Sequence, residues 1–383
     1  MRKRRIALFY GRDYLNEARI LYMPFVLNLI KCLDEEEYSI DVYLAESVNG
    51  DYHGLFSQRV KIYFLDSRII WRWGKGRKFY WISRILLLLY SCRLRNRYSL
   101  IIGAGVFGNY AAFEISRSLN LPYVYMGDEF PVLYGEYWNN FDRRHCRLAR
   151  LVIVPDVSRI KITEELIGKL LPECYVLPNS PRLADVSIIE VKDWHKILGI
   201  DAKRKIILFA GGTAFFNQLY DLMLQLPRLS DEYVLVVIAP KEQQISFRHL
   251  LNNSNILWHT NLLSDADLYS LLQASFCSVG LYRTDVYLLD YVGMSSGKLM
   301  RAIACGTPVI TSKSDSLAFI EKKMLGVQLS NVCFFPEAVN QIAEMLEEMR
   351  RSCLLAFQKE LNYDVYWNEL RVQIDHLYYQ ANS

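Results

Sequence analysis

The chain has 383 residues, more than the roughly 250–300 at which a single hydrophobic core stops growing, so two domains are expected. Hydrophobic residues make up 52% and aromatic residues 13%, which supplies two cores and excludes an intrinsically disordered chain. The 45 basic and 41 acidic residues leave a balance of +4, too small in itself to argue for a nucleic-acid partner, so the distribution of charge matters more than its sum.

Residues 6–10 read as a first strand behind a basic lead. The apolar run ends at Arg12 and Asp13, too early for a secretory signal. A helix over 15–33 and strands at 40–44 and 60–65 follow, and this alternation predicts a parallel sheet with helices on both faces. Ligands of such sheets sit at the carboxyl ends of strands. Gly11 and Arg12 are therefore acceptor-side candidates, although each alone reads equally as a turn.

From 67 to 113 there is no Asp or Glu. Arg68, Arg72, Lys75, Arg77, Lys78, Arg84, Arg93, Arg95 and Arg97 are interleaved there with Trp71, Trp73, Phe79, Tyr80 and Trp81. Together with the apolar run 85–90, this suits a surface lying in anionic headgroups through residues 68–98. A buried helix with a solvated basic flank is the alternative. Single-stranded nucleic acid also favours this composition, but no RNA-binding motif accompanies it and no nucleic-acid partner is expected. No window approaches the roughly 18–20 apolar residues that a membrane span needs.

A strand at 100–102 ends in Gly103-Ala104-Gly105 before a helix at 110–119. The GAGVFG segment resembles a dinucleotide fingerprint only superficially, since no acidic partner follows at the usual distance. A strand at 122–126 ends in Gly127-Asp128-Glu129-Phe130-Pro131. Asp128 and Glu129 thus lie where an α/β sheet places chemistry, and a capping or turn role is the alternative for Asp128. A helix at 163–170 and a short strand at 175–177 lead to Pro178-Asn179-Ser180-Pro181, and 181–204 reads as linker.

The alternation then restarts: strand 206–210, the turn Gly211-Gly212-Thr213, helix 216–226, strand 233–238, and strand 256–258 ending in His259-Thr260-Asn261-Leu262. Helix 265–274 and strand 276–281 precede the stretch 291–311. There Ser295, Ser296, Gly297 and Lys298 stand before an amphipathic run 299–304, a Cys305-Gly306-Thr307-Pro308 stop and strand 309–311. Small residues ahead of a helix leave backbone N–H groups open to an anion, and Lys298 adds a mobile charge. A helix at 335–349 and an amphipathic stripe over 357–379 close the chain, the stripe reading as core. The eight cysteines are scattered, without C-x-x-C spacing or grouping with the six histidines. Buried free thiols in a reducing compartment and no metal site are expected.

In this order of elements, and in Ala302, Ala304, Gly306, Pro308, Val309 and Ile310, the chain resembles the family 4 glycosyltransferases, whose donor-site helix ends A-x-A-x-G-x-P-V-I. Pro178-Asn179, the helix at 265–274 and the segments 128–131 and 149–153 agree with the same pattern. The resemblance implies an α/β GT-B architecture: two Rossmann-like domains whose parallel sheets face an interdomain cleft. Residues 1–180, with a helix at 357–383 crossing back, would form the acceptor side, and 195–355 the sugar-nucleotide side.

It further implies transfer of a sugar from a nucleotide-diphosphate donor to a glycan or polyprenyl-linked acceptor in bacterial-type surface polysaccharide synthesis. Anomeric retention is expected, with no metal and no cofactor beyond the sugar-nucleotide substrate. The place would be the cytoplasm, peripheral on the inner membrane face. Lys298 with Ser295, Ser296, Gly297 and Leu299 would hold the diphosphate, Gly212 and Thr213 would close the site, and Thr260, Asn261 and Leu262 would flank the base. Asp128 or Glu129 would bind hydroxyls or act on the acceptor proton.

The chain departs from the family where a ribose-binding glutamate is replaced by Arg301, its companion glutamate by Gly293, and a phosphate-binding Arg and Lys by Asn217 and Gln218. Arg301 has only donors and would pair with phosphate instead. A catalytically inactive GT-B partner or scaffold protein is the alternative that these departures raise, with a sugar-nucleotide epimerase a distant third.

Overall fold

Aliphatic and β-branched runs such as Leu-Val-Ile-Val at Leu151–Val154 are buried along their whole length, the mark of strands covered on both faces. The computed structural model describes residues 5–11, 24–44, 52, 54–64, 90, 94, 96–127, 130, 136–171, 173–261, 263–286 and 288–380. Two units emerge, Met1–Pro178 with Tyr366–Ser383, and Asn179–Val365. Each is built on one parallel sheet, and together they give the two-sheet α/β fold class.

In the first unit the strands are β1 (Arg5–Tyr10), β2 (Ile40–Leu44), β3 (Val60–Phe64), β4 (Tyr98–Ala104), β5 (Tyr123–Met126), β6 (Leu151–Val154) and β7 (Cys174–Val176). They lie in the order β3-β2-β1-β4-β5-β6-β7, so the direction of winding reverses between β1 and β4. At this switch point helix Gly105–Leu119 springs directly from β4, with Gly105 at φ 71°. A Cβ at Gly108 would lie 2.3 Å from the Phe9 carbonyl oxygen, so only glycine lets the helix approach β1 this closely. The Phe107 and Gly108 N–H groups donate to the Gly11 carbonyl at 3.0 and 3.2 Å. Two of the helix's N-terminal donors are thus engaged within the protein itself. Beneath the sheet, buried Asp41 is held by Arg5 at 2.7 Å, Arg97 at 3.0 Å and the Tyr98 hydroxyl at 2.6 Å.

The second unit repeats the plan with β8 (Lys205–Ala210), β9 (Tyr233–Ile238), β10 (Ile256–His259), β11 (Cys277–Gly280), β12 (Val309–Ser312) and β13 (Gly326–Leu329). Their order, β10-β9-β8-β11-β12-β13, puts a second switch point between β8 and β11. The helix expected over 216–226 is instead a 3-10 turn, Phe215–Asn217, followed by a short helix, Leu219–Met223. Gln218 stands between them at φ 50°, a left-handed conformation that a continuous helix cannot contain. Helix Phe335–Ala356 runs seven residues beyond its expected end.

The closing stripe over 357–379 is two elements: a π-turn, Phe357–Leu361, and a helix, Tyr363–Gln380. Asn362 separates them by bonding both ways. Its Nδ2 donates to the Phe357 and Gln358 carbonyls, and its Oδ1 accepts from the Val365 N–H. Residues through Val365 pack with the second unit and those from Tyr366 on with the first. There Trp367, Leu370, Ile374 and Tyr378 are buried and Tyr378 meets Tyr38 edge-on at 5.0 Å, so the stripe is core. No helix among the described residues is long and apolar enough to cross a membrane.

Candidate functional site

The second unit's switch point gathers most of the donor-side candidates. β8 ends in Ala210 and opens into Gly211, Gly212 and Thr213; β11 ends at Gly280 and continues to Tyr282. Between β11 and β12 the chain enters helix Gly297–Ala304, whose first turn points at this edge of the sheet. Ser296 caps the helix, its hydroxyl accepting from the Leu299 N–H at 3.4 Å and bonded to the Tyr282 hydroxyl. Ser295 turns its hydroxyl back to the Val292 carbonyl. Asn179 fixes the approach from below: its N–H donates to the Met294 carbonyl at 3.1 Å and its Nδ2 to the Ser295 carbonyl at 3.2 Å. A Cβ on Gly297 would crowd that amide at 3.1 Å.

Lys298 is the centre of the arrangement. Its residue is half-buried, and its ammonium lies 4.6 Å from the Tyr282 ring centroid and 5.3 Å from that of Phe209. It donates to Asn217 Oδ1 at 3.0 Å. Among the described residues no carboxylate pairs with it. Burial without a counter-charge lowers its pKa to about 7. Such an amine gains from an arriving anion both the pairing and the full charge that the empty site discourages. The N–H groups of Gly297 and Lys298, in the first helical turn, have no intrahelical acceptor.

The two amides that stand where the family has cations have definite tasks. Asn217 is tied by its Nδ2 to the Gly212 carbonyl at 2.8 Å while its oxygen receives Lys298. Gln218 donates to the Tyr282 carbonyl at 2.7 Å and to the Ser312 hydroxyl at 3.3 Å, joining the ends of three strand connections. One lysine from the late helix thus occupies the space beside the glycine turn.

The other candidates fall in several places. Thr213 gives its N–H and hydroxyl to Gln243 Oε1 at 3.2 and 2.8 Å, so its donors are engaged within the unit. Leu299 is fully buried. Arg301, one turn after Lys298, donates to Asp265 Oδ1 at 3.3 Å and lies beside Tyr269. It is braced against helix Asp265–Ala274, and its Nε is buried without a hydrogen-bond partner among the described residues. Thr260 and Asn261 continue β10, at the sheet's far edge. Gly11 closes the first unit's switch point, as described. Arg12, Asp128, Glu129 and Leu262 lie outside the described residues, as does most of 68–98. No group of three or more metal-ligating side chains occurs among the described residues.

Sequence reasoning missed Tyr282 and Gly280, and placed Asn179 only in the Pro-Asn pair, because their parts depend on contacts between distant segments. Asn217 was read only as a lost charge, whereas it orients the lysine. Asn217→Asp is expected to bring a carboxylate to 3.0 Å from the ammonium, raise the lysine pKa and occupy its charge. Any diphosphate taken up beside the lysine should then be held at least about tenfold less tightly by calorimetry, with little dependence on pH between 6 and 8.

No family model and no curated protein matches the chain. Solved structures do match in fold. HepE of Anabaena, in complex with UDP and glucose, aligns over 97% of this chain and 100% of its own, with a TM-score of 0.67 and 13% identity. Sucrose-phosphate synthase of Thermosynechococcus elongatus aligns over 98% and 99%, at 0.73 and 14%. WaaG, a glycosyltransferase involved in lipopolysaccharide biosynthesis, aligns over 96% and 99%, at 0.66 and 14%. Likeness over nearly the whole of each chain shows that this protein has the fold of the GT-B glycosyltransferases.

Proposed function

We propose that the protein is a glycosyltransferase that moves a sugar from a nucleotide-diphosphate donor to a glycan or lipid-linked acceptor, with retention and without a metal. The observation that carries this reading is the half-buried Lys298, bonded to Asn217 and without a carboxylate partner among the described residues, at the N-terminus of helix Gly297–Ala304 beside the Gly211–Thr213 turn. As the bond between the anomeric carbon and the diphosphate breaks, negative charge grows on the leaving oxygens. A pre-positioned ammonium and two backbone N–H groups stabilise that charge without reorganising. HepE was solved with UDP and with UDP-glucose, which supports the same donor class here.

Calorimetry with UDP-, GDP- and TDP-sugars tests the reading. Micromolar to millimolar binding of one nucleotide class, followed by turnover with a saccharide acceptor, is expected. Absence of binding to all three would overturn it. Arg301 favours a second reading, a non-catalytic partner protein of the same fold, because a donor-only side chain, bonded to Asp265, stands where the family's glutamate would take a ribose. Turnover with any sugar nucleotide removes that second reading.

For the place of action we propose the surface of an anionic membrane, on the inner face, consistent with a surface-polysaccharide role. The support is the acid-free, tryptophan-bearing sequence from 67 to 113. The protein is expected to co-sediment with vesicles containing phosphatidylglycerol, less so as salt is raised. Changing Arg72, Lys75, Arg77 and Lys78 together to serine should lower the bound fraction several-fold. Unchanged sedimentation would remove the headgroup contact from the proposal.

A further inference from the structure

The carboxyl edge of the second sheet carries a cavity of about 690 Å³ whose lining shares Thr213 with the glycine turn of the diphosphate site and continues away from it through Phe215, Tyr220 and Arg283. Its size is within the roughly 300–1,000 Å³ of small-ligand sites. The walls are the turn after β8, the short helix Leu219–Met223, the 3-10 segment Ile245–Leu250 after β9, and Arg283 just past β11. Three aromatic residues line it: Phe215 is 70% exposed and Tyr220 44% exposed, while Phe247 is buried.

Polar groups surround these rings, and two of them, Arg283 and Gln243, are held by bonds within the unit. Arg283 gives Nε and Nη2 to the two carboxylate oxygens of Asp285 at 3.1 and 2.6 Å, and its guanidinium lies 5.8 Å from the Phe215 ring centroid. Arg283 itself lines the cavity. Gln243 accepts from Thr213 through Oε1, so its Nε2 is the atom available to a ligand. Asp221 supplies carboxylate oxygens and Ser246 a hydroxyl. Donors and acceptors are therefore both present, and Asp285 already offsets the one cation. That balance disfavours a phosphate and favours a neutral, many-hydroxyl ligand with an apolar face. A pyranose ring has that form: its axial C–H groups pack on an aromatic ring while its equatorial hydroxyls reach planar carboxylate, amide and guanidinium groups.

We propose that this cavity is a saccharide subsite that takes a neutral pyranose unit of the acceptor glycan through Phe215 and Tyr220. Calling the ring the acceptor's rests on the transferase reading; the binding of a ring does not. A sugar held here lies on the same sheet edge as the diphosphate site and needs no further charge to be recognised.

Saturation-transfer NMR with methyl α-glucoside, methyl α-galactoside, methyl α-mannoside, maltose and cellobiose tests it on the full chain, with UDP binding followed separately by calorimetry. Saturation of at least one saccharide by the wild-type protein is expected. The signal should fall at least five-fold in Phe215→Ala and in Arg283→Gln, with thermal melting and UDP affinity unchanged. No signal from any saccharide while UDP binds overturns the subsite and leaves the donor site standing. A signal that UDP displaces, or one that both variants retain, also overturns it, because the sugar then lies elsewhere. Saccharide binding lost in the variants while wild-type protein ignores every nucleotide supports the subsite and refutes the transferase reading.

Discussion

Lys298→Ala is expected to weaken binding of the preferred nucleoside diphosphate by about 10–100-fold, the equivalent of losing one or two charge-assisted contacts. The same lysine sets the pH dependence. In the empty site burial holds its pKa at about 7, and a bound diphosphate raises it. Between those two values binding takes up a proton, so affinity falls as pH rises above 7, by up to tenfold per unit. Calorimetry at pH 8 in buffers of different ionisation enthalpy should register uptake approaching one proton in wild type and much less in Lys298→Ala. Equal uptake in the two proteins would remove Lys298 from the diphosphate site.

Stability follows the opposite logic. A lysine in the unfolded chain titrates near 10.4, well above the folded value, so from pH 7 to about 10 the unfolded state binds more protons. The cost of burying the charge is fully present below pH 7 and disappears as pH rises through that window. Lys298→Met, similar in shape and without charge, should therefore melt higher than wild type at pH 6, on the order of 1 kcal/mol or more. The gap should narrow toward pH 10. A variant that is more stable yet binds no nucleotide is the signature of a residue kept for a ligand at the expense of the fold.

Gly280→Ala carries the second large effect. The new Cβ would lie 2.4 Å from Leu299 Cδ2 and 3.0 Å from its Cγ, with Lys298 Cδ at 3.6 Å. Leu299 is fully buried among its neighbours and cannot retreat into solvent. Relief must come from moving helix Gly297–Ala304 away from β11. We expect a loss of about 2–3 kcal/mol, within the range of overpacked cores, and a nucleotide affinity reduced at least tenfold because the lysine and the first helical turn shift together. Denaturant unfolding and calorimetry measure both. Full retention of affinity in a stable Gly280→Ala protein would show that helix position does not govern the site.

Much of the fold was legible because burial on both faces of a parallel sheet leaves a strong mark. Runs such as 206–210 and 233–238 are nearly all aliphatic, and the glycine turn and the small residues before Lys298 punctuate them. The places where reading failed share one cause. The helix expected at 216–226 is broken because Gln218 turns toward Tyr282 and Ser312, 64 and 94 residues away in sequence, and no local pattern encodes that preference. The stripe at 357–379 looked continuous because Asn362 is compatible with helical spacing; its two-way bonding to the turns on either side is a property of the folded segment.

Residue order by itself determined that the chain makes two α/β units, that a small-residue turn and Lys298 precede a helix in the second, and that charges the family places after the glycine turn are missing. These rest on periodicity, composition and short-range geometry, which act within a few residues. Only the tertiary structure decided that Lys298 reaches Asn217 in the space beside that turn, that Arg301 is directed to Asp265, and that Phe215, Tyr220 and Arg283 meet around one cavity. Burial, partner choice and the resulting shift of a lysine's pKa depend on which distant side chains share a few ångströms. That is fixed when the strands take their order in the sheet and not before.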